Sequence, residues 1–546
     1  MTGPARSAIL VNYVGCPSSL DSLMPDNGLG NLASALQRAG WRVLILDYAT
    51  TRMIGRLIPW RMRWVLRCLA FRFLVPYKLN LKPGTTLARD YQRLNERLDQ
   101  RAAEVQQQIA REIVDEARWR DASFVGFKLW TGDGQLGALR IARALKAALP
   151  AIRVYGGGPH VELFGERAAA ELWPTFDAVA LGEGEQTILE LAAHALGERE
   201  LCSISGIAHP EGTGATGARV AELSALAPPS YDPITYPALR GDEKLKLFMI
   251  DESRGCPYGC AFCFHPLKSG RARRVRAARE VVELMRHLAA RTGSRTFRLA
   301  GSNPPPEHRR AIAEELLRTG PSFRYVSFGH TRSDDEDFEL LRRSGCISLF
   351  FGVESCSQPI LDALDKRTTV EAIRRNLSGA RRAGIMTSAS LIVPCPHDSA
   401  ATLEETVRCV GELRPDGVSI YLPMVVPGTA WFGDPGRFAI ELDRGAESTL
   451  MRYQMRFLMP PPLWDPLPYR VNGRSFAELV EVASSVSSGL ERQGVLTGVN
   501  DSLLIVAREL GRPARELRDL NRRLFMTGDA EGIGQLVAEF NRRVCG

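Results

Sequence analysis

Three cysteines in the segment SRGCPYGCAFCFHP carry the first recognisable chemistry: Cys256, Cys260 and Cys263, spaced C-x3-C-x2-C. Three thiolates within eight residues can wrap one metal cluster from a single loop, and Gly255, Gly259 and Pro257 suit the tight turns this needs. A cubane of four irons normally takes four cysteines, so three leave one iron open to a small molecule. A zinc site completed by His265, or three unrelated core thiols, are the other readings of this spacing. The chain has 11 cysteines in 546 residues, and the other eight are scattered. An odd number in a long chain whose start lacks a secretion-signal pattern argues against a disulfide framework.

The loop must be held at the end of a structural element, and the pattern supplies one. It follows the apolar run LKLFMIDES (245–253), and further strand-like runs come at TFRLAG, RYVSFGH, SLFFGVES, TSASLIVP and GVSIYLPM. Charged, helix-periodic stretches separate them, which predicts a parallel β/α array with the cysteine loop at a strand's C-terminal end, where ligands collect.

Residues 245–435 therefore resemble a radical S-adenosylmethionine (SAM) core with its partial (β/α)6 barrel. The resemblance implies a [4Fe-4S] cluster on Cys256, Cys260 and Cys263, with SAM chelating the open iron and yielding a 5′-deoxyadenosyl radical on one-electron reduction. It places Phe262 against adenine, Gly301 and Ser302 beside the SAM amino group, Glu354 and Ser355 near the ribose and methionine moiety, and Ser390 at the ribose or carboxylate. This chain reads AGSNPPP where relatives usually carry acidic residues after the second strand. Glu354 alone also suits a hydrogen-bonded barrel carboxylate.

Residues 1–197 give a second β/α pattern: strands at AILVNYVG, WRVLILDY, SFVGFKLWTGD, AIRVYGGGPHV and DAVALGEGE, with helices between them. That order predicts an open, doubly wound sheet with glycines at its strand ends. The spaced G-x-x-x-L-A helix, the TGD turn, GGPH and GEGE together resemble the cobalamin-binding domain of B12-dependent radical SAM enzymes. The resemblance puts Thr131, Gly132 and Asp133, then Gly157, Gly158, Pro159 and His160, then Gly182, Glu183, Gly184 and Glu185 against the corrinoid. The loop after the first strand, NYVGCPSSLD, has no histidine, so the resemblance implies base-off cobalamin without histidine ligation. His160 is then a tail or structural contact, and His194, on the last helix of the domain, is no cobalt ligand.

The predicted class is thus α/β: a Rossmann-like cobalamin-binding domain (1–197) with a basic helical insertion at about 51–120, a linker (198–244), the radical SAM core (245–435) and a helical C-terminal domain (436–546). Residues 51–89 hold nine Lys or Arg and no acid, interleaved with Trp60, Trp64, Phe71, Phe73 and Tyr77. Packing over the cobalamin domain is the favoured reading of that insertion; the others are peripheral contact on an anionic membrane and the lining of a site for an anionic or greasy substrate. Hydrophobic residues at 45%, charged residues at 24% and a net charge of +8 describe a globular chain too mildly basic for a nucleic-acid protein. A soluble cytoplasmic enzyme is expected, served by an external one-electron reductant and acting on a small-molecule or peptide substrate. The resemblance implies a C-methyltransferase, with an oxidative cyclase or a polar methyl transfer as alternatives. A non-catalytic cobalamin-binding regulator would not need the complete cysteine loop. A methylthiotransferase would need three cluster cysteines in residues 1–200, where only Cys16 and Cys68 occur.

Overall fold

The computed structural model describes residues 6–78, 85–210, 212–213, 217, 219–301, 303–320, 322–332 and 336–546. Its first sheet starts with β1 (Ser7–Asn12), followed by helix α1 (Asn27–Arg38) and β2 (Arg42–Asp47). After the helical insertion come β3 (Phe124–Lys128), β4 (Arg153–Gly157) and β5 (Ala178–Ala180). The spatial order β2-β1-β3-β4-β5 is wholly parallel, so this is a doubly wound sheet whose chain order reverses between β1 and β3. The apolar runs become strands because both faces are covered, and β1 is buried at every position.

Two short strands, β6 (Ile207–His209) and β7 (Gly212–Thr213), extend this sheet antiparallel beyond β5. Part of the segment 198–244 thus pairs with the first sheet. Farther along it, Tyr236 donates to the Asp47 carboxylate, and Lys244 pairs with Asp47 at 2.8 Å, both side chains fully buried. Removing one partner of such a pair leaves a buried charge, so the segment is fastened to the sheet.

The insertion forms α2 (Thr51–Leu57), α3 (Trp60–Lys78) and α4 (Thr85–Arg120). Phe73 and Leu87 enter the same core as Ile109 and Ile113, and Arg63 reaches Asp529 at 2.8 Å. Trp60, Trp64 and Phe71 stay exposed on α3. Among the described residues, no helix is long and apolar enough to cross a membrane.

The second sheet begins with β8 (Phe248–Ile250). An antiparallel hairpin follows, β9 (Ser253–Arg254) with β10 (Arg274–Val275), and its connection contains the cysteine loop. Then come β11 (Thr296–Leu299), β12 (Arg324–Gly329), β13 (Cys346–Glu354), β14 (Met386–Ile392) and β15 (Gly417–Tyr421). The order β15-β14-β13-β12-β11-β8 is parallel throughout, a six-stranded partial barrel as expected.

Four C-terminal helices, 476–492, 501–510, 514–526 and 530–544, complete the chain. They close the N-terminal end of this barrel: Val418 donates to the Leu496 carbonyl at 2.8 Å, and Arg298 pairs with Asp501 at 2.9 Å. The segment is not wholly helical, since Ile440–Leu442 and Tyr469–Val471 form a small antiparallel pair.

Candidate functional site

The hairpin sets the start of the cysteine loop. Gly255 has φ 86°, and a Cβ there would lie 2.1 Å from the Ala272 carbonyl oxygen, so only glycine lets the chain turn against its return strand. Cys256 N–H donates to the Gly270 carbonyl at 3.0 Å, and Cys263 N–H to the Cys260 carbonyl at 3.0 Å. A short helix, His265–Ser269, begins just after Cys263. Cys256 is buried, and Cys260 and Cys263 are half-buried. Burial, reinforced by the neighbouring Cys260 and Cys256, pushes the Cys263 thiol up to about 11.

Two side-chain donors face these sulfurs: Arg332 Nη2 at 3.4 Å from Cys260 Sγ and Asn303 Nδ2 at 3.9 Å from Cys256 Sγ. Arg332 is held by the Lys366 carbonyl at 2.8 Å from Nε and lies 3.7 Å over the Tyr258 ring. Among the described residues, no three His, Cys, Asp or Glu side chains converge on a single-ion site. His265 instead stacks on Phe264 at 5.5 Å. A zinc ion needs one point of convergence, whereas a cubane takes each cysteine on a different iron. The chemistry of the donor set, three thiols on one loop, fits a cubane, which Cys256, Cys260 and Cys263 would hold.

Around this loop the barrel strands present the other expected residues. Phe262 packs on Trp431 at 5.7 Å, and the fully buried Trp431 leaves its indole N–H without a partner, which suits a polar ligand edge beside an aromatic wall. Glu354 ends β13 with φ 65°, a strained value for a non-glycine residue. Its carboxylate accepts from Lys366 Nζ at 2.8 Å and Ser390 Oγ at 3.0 Å, so two expected residues meet and a lysine joins them. Ser355 instead shares a 3.2 Å hydrogen bond with Thr406 on the covering helix. Gly301 donates its N–H to the Glu252 carboxylate at 2.9 and 3.0 Å; Ser302 lies outside the described residues.

Glu252 is fully buried, and burial, with Asp251 adding to it, raises its carboxyl to about 8 from an ordinary 4.5. The folded state then binds a proton that the unfolded chain has released between those values. Stability from this group is complete below the ordinary carboxylate value and falls as pH rises from about 4.5 through 8. Melting curves of the cofactor-free protein are expected to show that decline, and Glu252→Gln to flatten it. An unchanged slope in the variant would remove Glu252 as its source.

On the first sheet the expected residues gather at the C-terminal strand ends. Gly132, φ 65°, lies beneath the C-terminal segment, where an added Cβ would sit 3.0 Å from the Tyr453 carbonyl oxygen. Thr131 is exposed on the same turn, and Asp133, its carboxyl raised by burial, opens the next helix (Asp133–Ala148). Gly157 ends β4, and Gly158 and Pro159 start the helix Pro159–Leu172. His160 on that helix is completely buried against Phe164, and neither ring nitrogen has a hydrogen-bond partner. An imidazole buried without partners, at the glycine-rich edge of a doubly wound sheet, fits a large polar ligand placed along that edge. His194 bonds the Tyr155 hydroxyl at 2.6 Å, away from the strand ends.

Gly182 and Gly184 flank Glu183 in the turn after β5, but both acids of this turn point their charge at the barrel. Glu183 pairs with Arg274 and Glu185 with Arg254. Sequence reasoning missed Lys366, Arg332, Glu252, Arg254 and Arg274. Only the nearness of Arg254 and Arg274 to the cysteine loop could have signalled the last two.

The Radical SAM superfamily model matches residues 252–410, and the B12 binding domain model matches residues 93–192. An uncharacterized methyltransferase of Pyrococcus horikoshii is 25% identical over 316 residues, which is 57% of this chain and 68% of that relative. The anaerobic magnesium-protoporphyrin IX monomethyl ester cyclase of Rubrivivax gelatinosus is 29% identical over 299 residues, 51% of this chain and 52% of that one. The chain thus spans about two-thirds of the first relative and half of the second. The structure of the radical SAM methyltransferase TsrM from Kitasatospora setae, with cobalamin and a [4Fe-4S] cluster bound, matches with a TM-score of 0.67 at 18% identity, over 96% of this chain and 99% of that one. A second TsrM structure, with tryptophan substrate and a SAM analogue, gives 0.58 at 20% identity over 78% and 75%. At these identities the likeness to TsrM is one of fold.

Proposed function

We propose that this chain, a methyltransferase-like member of the cobalamin-dependent radical SAM enzymes, transfers a methyl group from SAM by way of cobalamin to an unactivated carbon of a small-molecule or peptide natural product. The observation that supports this reading best is the meeting of the two sheets at their C-terminal strand ends. There Lys268, just past the cysteine loop, lies 3.5 Å from Glu162 beside the GGPH loop, and Asn31 donates to Asp251 at 3.2 Å. Cofactors held on the two edges would face a shared space.

The cofactors are a [4Fe-4S] cluster, SAM and cobalamin, and when bound they supply a 5′-deoxyadenosyl radical and a transferable methyl group. The chain's own part is to hold, orient and shield them. Cys256, Cys260 and Cys263 would hold the cluster through three of its irons. Arg332 and Asn303 direct N–H groups at the sulfurs, which makes an anionic cluster easier to reduce. Glu354, fixed by Lys366 and Ser390, presents its remaining acceptor capacity to the polar part of SAM. Phe262 and Trp431 supply an apolar wall that excludes water from a reactive radical. Per methylated product the reaction consumes two SAM and two electrons from an external one-electron reductant. It releases one S-adenosylhomocysteine, one 5′-deoxyadenosine and one methionine.

The test uses anaerobically reconstituted protein with SAM, cobalamin, a strong reductant and an extract of the host cell. S-adenosylhomocysteine and 5′-deoxyadenosine are expected to rise together on addition of extract, with one metabolite gaining the mass of a methyl group in place of hydrogen. The similarity to the cyclase of Rubrivivax gelatinosus favours a second reading, oxidative cyclisation, which predicts 5′-deoxyadenosine alone. S-adenosylhomocysteine alone would replace both readings with polar methyl transfer.

A further inference from the structure

The acidic turn after β5 and the hairpin of the cysteine loop form one buried ionic cluster. Arg274 holds Glu183 with two nitrogens, Nη2 to Oε1 at 2.6 Å and Nη1 to Oε2 at 2.9 Å. Arg254 reaches Glu185 at 2.7 Å, Asp251 at 2.9 Å and Glu183 at 3.7 Å. The four side chains from turn and hairpin are between 8% and 13% exposed, so water screens them little. Burial alone would raise the Glu183 carboxyl, yet Arg274 and Arg254 hold it below the ordinary range.

The hairpin register adds a second observation. Arg254 and Arg274 sit directly opposite each other on β9 and β10. Like charges directly opposed across an antiparallel pair destabilise it. The hairpin is only two residues long on each side, so it has little else with which to offset that repulsion. Asp251 offsets Arg254 from the barrel side, and the remaining counter-charges, Glu183 and Glu185, come from the first sheet. Arg254 directly precedes Gly255 and Cys256, so any shift of this arginine moves the start of the cluster loop. Val220, from the segment between the sheets, donates its N–H to Glu183 at 2.8 Å and accepts from Arg274 through its carbonyl, tying the connecting segment into the same cluster.

We propose that Glu183 and Glu185 are positioning residues rather than corrinoid contacts: they latch the cobalamin-side sheet onto the hairpin of the cluster loop and so fix the separation between the two cofactors. This rests on the cofactor assignment made under Proposed function. A broken buried pair leaves an uncompensated charge; without the two glutamates Arg274 would lose its carboxylate partner and Arg254 would keep only Asp251, with the two arginines opposed across the hairpin.

The test compares reconstituted wild type with Glu183→Gln/Glu185→Gln. One readout is the enhancement of cob(II)alamin electron-spin relaxation by the reduced cluster, which reports their separation and needs no turnover. The other is S-adenosylhomocysteine released from SAM without substrate, per bound corrinoid. The variant is expected to keep both cofactors, show a reduced relaxation enhancement and slow S-adenosylhomocysteine release by about 100-fold, as a displacement near 1 Å can do. Arg274→Lys keeps the charge but loses the two-point contact, and is expected to change both readouts in the same direction by less. It also serves if the double variant does not fold. Corrinoid loss with normal relaxation would return the acids to the corrinoid site and overturn the latch. Wild-type values in both readouts would overturn it too. A wild type that releases no S-adenosylhomocysteine would instead count against the proposed reaction, and the relaxation comparison would still decide the latch.

Discussion

Cys260→Ala is expected to abolish the iron–sulfur cluster and all 5′-deoxyadenosine formation while corrinoid affinity stays within about twofold, the usual limit for sites without shared partners. The loop offers three sulfurs to four irons, so one iron already relies on a small molecule, and a second bare iron leaves the cubane two protein ligands. The fold should survive. Cys260 is half-buried, and the Arg332 that faces it remains fixed by the Lys366 carbonyl and the Tyr258 ring. The corrinoid-side residues lie on the other sheet, bound to the cysteine loop through Arg254 and Arg274 rather than through Cys260. Iron, sulfide and corrinoid content after gel filtration decide the matter. Loss of corrinoid together with iron would mean that the two cofactors are held as one unit. Iron retained at wild-type stoichiometry would mean that these cysteines are not the cluster ligands.

The same separation explains how much of the fold is legible in the sequence. Each barrel strand is a short apolar run closed by a helix-periodic stretch, and parallel strands buried on both faces leave that signature directly in the chain. The cysteine loop was legible from its own spacing, whereas Glu354 and the GGPH turn were legible as candidates only through the resemblance to the family. Their side-chain partners were not. Lys366 joins Glu354 from twelve residues away, Arg332 reaches Cys260 across 72, and Arg274 reaches Glu183 across 91. No local periodicity encodes such pairs. The GEGE turn shows the consequence: its glycines and acids look like one motif, while in the structure both acids are committed to the neighbouring sheet. Strands β6 and β7, three and two residues long, are likewise too short to rise above a Gly-rich background.

His160→Leu should make the cofactor-free protein more stable and its corrinoid binding weaker, two effects of opposite sign from one substitution. The imidazole is fully buried, and burial lowers its protonation to about 4, so it is neutral at pH 7 with one N–H donor and one acceptor nitrogen. Neither has a partner. A buried polar group left unpaired costs about 1–3 kcal/mol, and a leucine in contact with Phe164 would avoid that cost while keeping most of the packing. If cobalamin supplies the missing hydrogen bond, its loss should weaken the affinity by about tenfold, the upper part of the range for one neutral bond. Thermal unfolding of the apoprotein and corrinoid titration measure the two effects separately. His160→Gln, which can still donate and accept, should restore part of the affinity without the gain in stability. A leucine variant that melts lower than wild type would show that the histidine is already satisfied within the folded protein, and unchanged corrinoid affinity would take His160 out of the cobalamin site.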